Sequence, residues 1–565
     1  MYNQKLSQTL NILLSSNSNP LAYTEIILIY TGDISLITKQ YNLTILLANY
    51  ATAYIMLKDI ASLVAYDEII YITIPEPVFF SVRYGINASC PISPSIESIN
   101  SLSGKGVAIA LIDSGIDILH KDFIDNNGKS RILAYWDQSY NSNPPTGYSF
   151  GTLYTNEDIN NLIALPNQSI PRDYSGHGTA VMGIACGNGN SSNGIYKGVA
   201  PNASIIVVKL RNTTTSTPNT AALLEGVDFC IKYALSLNLP VVVNLSYGNN
   251  YGSHDGFSII DNYFNLVSNY GRNVIVCGTG NEASLGIHSS GYITTNTSSI
   301  VPFNISSGET LLNLELWKFY GDIVDINIIL PNGQKEPIKY GLNRIQYLDT
   351  TINILYGMPS PLTTSQNIFF NFTPNNSYIN NGIYSIELIG HSIKNGRFDM
   401  WLQNASTLQN QTKFLYPDEN ITLTTPSSAR GVISVGAYNY NNNSVAFFSG
   451  RGFTRNTHFI KPDLVAPGVL ITSTKVGGGY DTYTGTSFAT PFVSGACALL
   501  MEWGIVNGFD PFLYSEKIKA YLIKGAKKLP SIKEYPSKSV GFGALCIKDS
   551  FPTPYIQALE QDKSF

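Results

Sequence analysis

Charge is scarce in this chain. Asp, Glu, Lys and Arg together make up 13% of its 565 residues, about half the usual share, and Asn, Ser, Thr and Tyr carry much of the polarity instead. The 35 basic and 39 acidic side chains leave a net charge of −4. No Lys/Arg run is long enough to follow a phosphate backbone, which excludes nucleic acid as a partner. Cysteine is sparse and unclustered. Cys90, Cys186, Cys230, Cys277, Cys497 and Cys546 show no C-x-x-C spacing, and most sit among apolar or small residues, as in "GIACG" and "VIVCG". That pattern gives no support for zinc and points to free buried thiols. No window reaches a transmembrane span, and "MYNQKLSQTLNILLSSNSNP" lacks an uninterrupted apolar segment followed by a small-residue cleavage site. A soluble chain without an ordinary secretion signal is expected, and its 44% hydrophobic residues can fill several cores.

What is present divides into segments. Residues 1 to about 84 read as a small α+β unit: strands at "EIILIY", "TAYIML" and "EIIYITI" alternate with helical spacing in "ISLITKQYNL" and "IASLVAY", a split βαβ order. "PEPVFFSVRYG" follows as an extended connector. From Val107 onward, continuous Val/Ile runs alternate with helical segments: "GVAIALIDSG", "ASIIVVKL", "PVVVNLSYG" and "NVIVCGTGN" are the strands. This predicts an α/β fold with a largely parallel sheet covered by helices on both faces, whose function gathers at the carboxyl ends of the strands. The rhythm stops after Gly286. Short alternating segments between Asn/Gly/Pro turns predict an all-β sandwich inserted over residues 291–426, after which "GVISVGAYNY" resumes the sheet. The expected domains are 1–84, 85–290, 291–426 and 427–565.

The chemistry-bearing residues lie at strand and helix ends. A serine nucleophile needs a base, an acid to orient that base, and donors for the developing oxyanion. Asp113 ends a strand in "ALIDSGID", His177 opens a Gly-flanked helix in "DYSGHGTAVMGIA" that would leave its imidazole exposed to a cleft, Asn281 follows a strand in "GTGNE", and Ser487 stands before the apolar run of "TYTGTSFATPFVSGACALLM". Each residue alone has a plainer role as helix cap, turn former or satisfied polar group.

Taken together, "DSGID", "GHGT", "GTGNE" and "GTSFATP" occur in an order that closely resembles the subtilisin family of serine peptidases, and "GVAP", "NLSYG" and "KPDLVAPG" extend the likeness. The resemblance covers roughly residues 100–285 and 428–550. It implies Ser487 as nucleophile, His177 as general base and acid, Asp113 as the residue fixing the imidazole tautomer, and Asn281 with the Ser487 backbone amide as oxyanion hole. Ser246, Tyr247 and Gly248 would pair with an extended peptide substrate.

The resemblance further implies that the N-terminal unit is a propeptide, cut off by autoprocessing within 81–89 and bound in the cleft. It requires no cofactor; calcium enters only through Asp122 and the loop "GNGNSSNG", where a plain Asn/Gly turn is the alternative. The large insert and the lack of a secretion signal resemble the clostridial Csp spore germination proteases, a family with a short propeptide, a subtilase core and a jelly-roll. That likeness implies a spore protein whose substrate is a cortex-lytic enzyme zymogen. Two rival readings use the same fold: a catalytically silent scaffold in germination signalling, and a carbohydrate-binding protein acting through the insert. The second would need exposed aromatics, whereas Trp317 and Trp401 lie in alternating strands suited to a core.

Overall fold

The computed structural model describes residues 3–15, 19–80, 102–165, 171–211, 218–359, 361–455 and 459–552. The expected cleavage region 81–89, and Cys90 with it, lie outside the described residues.

Residues 102–552 are organised by a nine-stranded sheet whose centre is Ala108–Asp113. That strand is flanked by Val241–Leu245 and Ser204–Lys209, both parallel to it. Asn273–Gly278 and Ile433–Asn439 extend the sheet on one side, and Ile132–Asp137 on the other. Antiparallel pairs close the two margins. Side-chain alternation along the central strand explains the two covered faces. Ile109 and Leu111 pack under the helices His177–Cys186 and Thr486–Met501. Ala108, Ala110 and Ile112 face the helix Thr220–Ser236. The helical stretch Thr486–Val506 is long and apolar enough to cross a membrane, yet 89% of its apolar window is buried, so its composition matches a central core helix.

The N-terminal unit is a four-stranded antiparallel sheet in which Tyr23–Tyr30 lies between Tyr50–Met56 and Ile69–Thr73. The expected strands and the two expected helices are present, joined by a helix at Gln8–Ser15 that the sequence reading did not assign. This unit sits on the helical face of the core: Tyr50 donates to Ile259 O at 3.0 Å, and the Leu47 amide donates to Asp228 Oδ1 at 2.7 Å.

The insert is a sandwich of a six-stranded and a five-stranded sheet beginning at His288. Its core holds Trp317 and Trp401, 8% and 1% exposed, so neither presents a sugar-binding face. A buried junction fastens the insert to the core. Asp399 accepts from His288, Arg397 and Arg455, and the Trp401 ring is stacked between His254 and His288 at 4.1 and 4.6 Å.

Candidate active site

Asp113 is the last residue of the central strand, where the parallel sheet points its carboxyl ends into a crevice. His177 is the first residue of its helix, preceded by Gly176 at φ 75°. The helix reaches the strand end because its second residue is glycine: a Cβ on Gly178 would lie 2.1 Å from Gly115 O. That close approach brings His177 Nδ1 to 2.7 Å from Asp113 Oδ1. The carboxylate is an acceptor only, so the proton resides on Nδ1 and the lone pair on Nε2. The same Asp113 oxygen accepts the Ser114 amide at 2.7 Å. Ser114 Oγ in turn donates to Asp173 at 2.7 Å, a buried carboxylate that also takes the Thr179 amide and hydroxyl. Asp173 and Ser114 were not singled out by sequence; the signal available was their place inside "DSGID" and "DYSGHGT".

The helix Thr486–Met501 begins one residue before Ser487, with Gly485 in the cap position. Ser487 thus stands in the first turn, within the positive end of the helix dipole, and does not cap it. Its Oγ rests 3.4 Å from Ser246 O. Asn281 is oriented from the same helix: its Oδ1 accepts the Thr486 amide at 3.1 Å and the Thr486 hydroxyl at 3.2 Å. This leaves Asn281 Nδ2 buried without a hydrogen-bond partner among the described residues, and His177 Nε2 is in the same condition. Buried donors and acceptors are seldom left open; here the open donor belongs to a side chain held by Thr486, and the open base to a ring 5.5 Å from that of Phe488, the two neighbours of Ser487 in sequence.

The cleft is filled by the chain's own extended segment. Phe79 and Phe80 pair antiparallel with Gly248 and Tyr247. Upstream, Val78 donates to Pro218 O at 2.9 Å, and Asn249 donates to Pro77 O at 3.0 Å. The segment therefore runs between two walls as an added strand, and of the three expected binding positions Tyr247 and Gly248 take part in the ladder. The Phe80 ring lies 4.4 Å from the His177 ring and 4.2 Å from the Tyr247 ring. This corrects the expectation of an exposed imidazole: His177 is 5% exposed in the presence of Phe80 on one side and Phe488 on the other. Burial, then the Asp113 and Asp173 charges, push the Tyr247 hydroxyl well above its ordinary range, so it forms a neutral wall.

Asp122 lies outside this group. Backbone and hydroxyl donors occupy its buried carboxylate, a donor set that does not suit Ca²⁺. The five cysteines among the described residues are all free and buried.

With this geometry, the sequence matches the subtilase family over residues 104–310 and 410–543. The chain belongs to the subtilase family. Its similarity to the Clostridium perfringens CspB protease structure reaches a TM-score of 0.74 at 34% identity, covering 81% of this chain and 94% of that one. Among curated subtilases, it is 24% identical to the minor extracellular protease Vpr of Bacillus subtilis (strain 168), over 79% of this chain and 52% of Vpr. It is 28% identical to a subtilisin of Bacillus sp. (strain TA39), over 36% of this chain and 39% of that protein. The chain thus spans about half or less of the length of these curated relatives.

Proposed function

We propose that this chain is a subtilisin-like serine endopeptidase that cuts off its own N-terminal unit as a propeptide and then activates a spore cortex-lytic enzyme zymogen by limited proteolysis. The observation that carries the reading is the Asp113–His177 pair with an unpartnered Nε2, set beside Ser487 in a cleft that already holds an extended peptide strand. In catalysis Ser487 Oγ leaves its contact with Ser246 O for His177 Nε2 and passes its proton there as it attacks the scissile carbonyl. The carbonyl oxygen becomes an oxyanion that receives Asn281 Nδ2–H and the Ser487 amide. His177 then returns the proton to the leaving amine, and water releases the acyl group by the same route. Asp113 keeps the imidazole in the tautomer this requires and stabilises its cation.

The zymogen role rests on the likeness to the CspB protease, and the insert, read as a jelly-roll, accords with it. The silent-scaffold reading draws on one feature, the Phe80 ring covering His177. The two are separated by incubating the protein, beside its Ser487→Ala variant, with a purified cortex-lytic zymogen. Conversion by wild type alone supports the proposal. A wild type that processes itself but leaves the zymogen intact rejects this substrate and keeps the endopeptidase.

A further inference from the structure

The subtilisin likeness would place a cation beside the triad at Asp122, but the groups surrounding that carboxylate are donors. Asp122 is fully buried. Its Oδ1 accepts the Ser191 amide at 2.8 Å. Its Oδ2 accepts the Tyr480 hydroxyl at 2.7 Å, and that hydroxyl is also 3.0 Å from Ser192 Oγ. The Asp122 carbonyl oxygen accepts Arg131 Nη2 at 2.6 Å and the Asn188 amide at 3.0 Å, and the same guanidinium nitrogen reaches Cys186 O at 2.6 Å. The loop's asparagines turn their amide nitrogens toward Ile124 O, at 2.7 Å from Asn188 and 3.2 Å from Asn190. Calcium needs roughly six to eight converging oxygen ligands. Here the carboxylate faces N–H and O–H groups, and the Arg131 guanidinium already donates to the neighbouring carbonyls of Asp122, Cys186 and Ala203. Among the described residues no three His, Cys, Asp or Glu gather as a metal set.

We infer that a clamp built from Asp122, Ser191, Tyr480 and Arg131 stands where the likeness implies Ca²⁺, and that it makes this region's stability independent of that ion. The clamp joins the three segments that carry the triad. Asp122 follows the Asp113 strand, Ser191 follows the helix opened by His177, and Tyr480 lies on the strand Tyr480–Tyr483 that leads into the Ser487 helix. Burial and the facing Asp122 carboxylate hold the Tyr480 hydroxyl above its ordinary range, so it remains a donor.

The test uses the full-length Ser487→Ala chain, which cannot digest itself. Thermal unfolding is followed in EDTA and in calcium chloride, and calcium is titrated calorimetrically into the EDTA-treated protein. The expected midpoint is the same in both media, with no saturable calcium heat. Adding Tyr480→Phe should lower the midpoint by a few degrees, equally in EDTA and in calcium. Saturable calcium binding that Asp122→Ala abolishes would overturn the inference, as would a midpoint that EDTA lowers in the parent and leaves unchanged in Asp122→Ala. The calorimetric titration decides the matter even if Tyr480→Phe fails to fold.

Discussion

Replacing Arg455 with methionine should loosen the insert from the core at a calculable cost. The Arg455 side chain is 7% exposed and makes three bonds across the junction: Nε to Asp399 at 2.8 Å, Nη1 to Ser365 Oγ at 2.6 Å and Nη2 to Trp317 O at 3.2 Å. Removing one member of a buried ion pair typically costs about 3–5 kcal/mol. Arg397 stays at 2.9 Å and His288 at 3.2 Å from Asp399, so the carboxylate keeps partial compensation and the lower end, about 3 kcal/mol, is expected. Arg451→Met is the control. Its pair with Glu419 is 27% and 51% exposed, worth about 0–1 kcal/mol. Urea unfolding of both variants in the Ser487→Ala background, followed by Trp317 and Trp401 fluorescence, measures the difference. Burial alone would raise the Asp399 pKa, yet the His288 hydrogen bond and the Arg455 and Arg397 guanidinium groups hold it well below the usual carboxylate range. A depressed carboxylate contributes stability above its unfolded pKa, near 3.8, and loses it as pH falls toward the folded value. In Arg455→Met that folded value rises, so the variant takes up a proton earlier and its deficit should shrink below about pH 4. Equal urea midpoints for Arg455→Met and Arg451→Met would refute the reasoning.

Three further outcomes are expected. Asn281→Ala should lower kcat by about 10²–10³-fold with little change in KM, since in the proposed mechanism its Nδ2 acts on the oxyanion alone; steady-state kinetics on a peptide substrate measures this. Gly178→Ala should lower kcat at least tenfold with the fold retained by circular dichroism, because the new Cβ would strike Gly115 O and shift His177 away from Asp113. Glu225, covered by the N-terminal unit and bonded to Thr52, is pushed up to about 8 from 4.5, first by burial. An acid raised in the complex stabilises it fully below the free pKa and loses that contribution as pH rises through the bound value. The cut N-terminal unit should therefore be held less tightly from about pH 4.5 to about 8, by up to about tenfold per pH unit. Glu225→Gln should flatten the profile of fragment co-eluting with the core.

Much of the site was legible because each of its residues has a local signature. A strand ending in Asp113, a helix opening between Gly176 and Gly178, and a serine before a long apolar helix are each coded within a few positions. The burial of the central strand on both faces followed from continuous apolar runs that suit a parallel sheet covered by helices. What escaped was set by distant contacts. The donors that close Asp122 come partly from Tyr480, which no reading of "GNGNSSNG" could supply. The orientation of Asn281 depends on Thr486, and the burial of His177 on Phe80. The strand Ile132–Asp137 was passed over because "RILAYWD" is short and is not followed directly by a helical period. The link between insert and core draws on Arg455 and His254, residues whose loops have no pattern of their own.

The most direct measurement is the intact mass of purified wild type beside Ser487→Ala. An assembled triad predicts that wild type separates into an N-terminal fragment and a core while the variant stays whole, with the fragment mass giving the bond that is cut. Both proteins remaining whole would contradict self-processing, and both being cut alike would remove Ser487 from the chemistry.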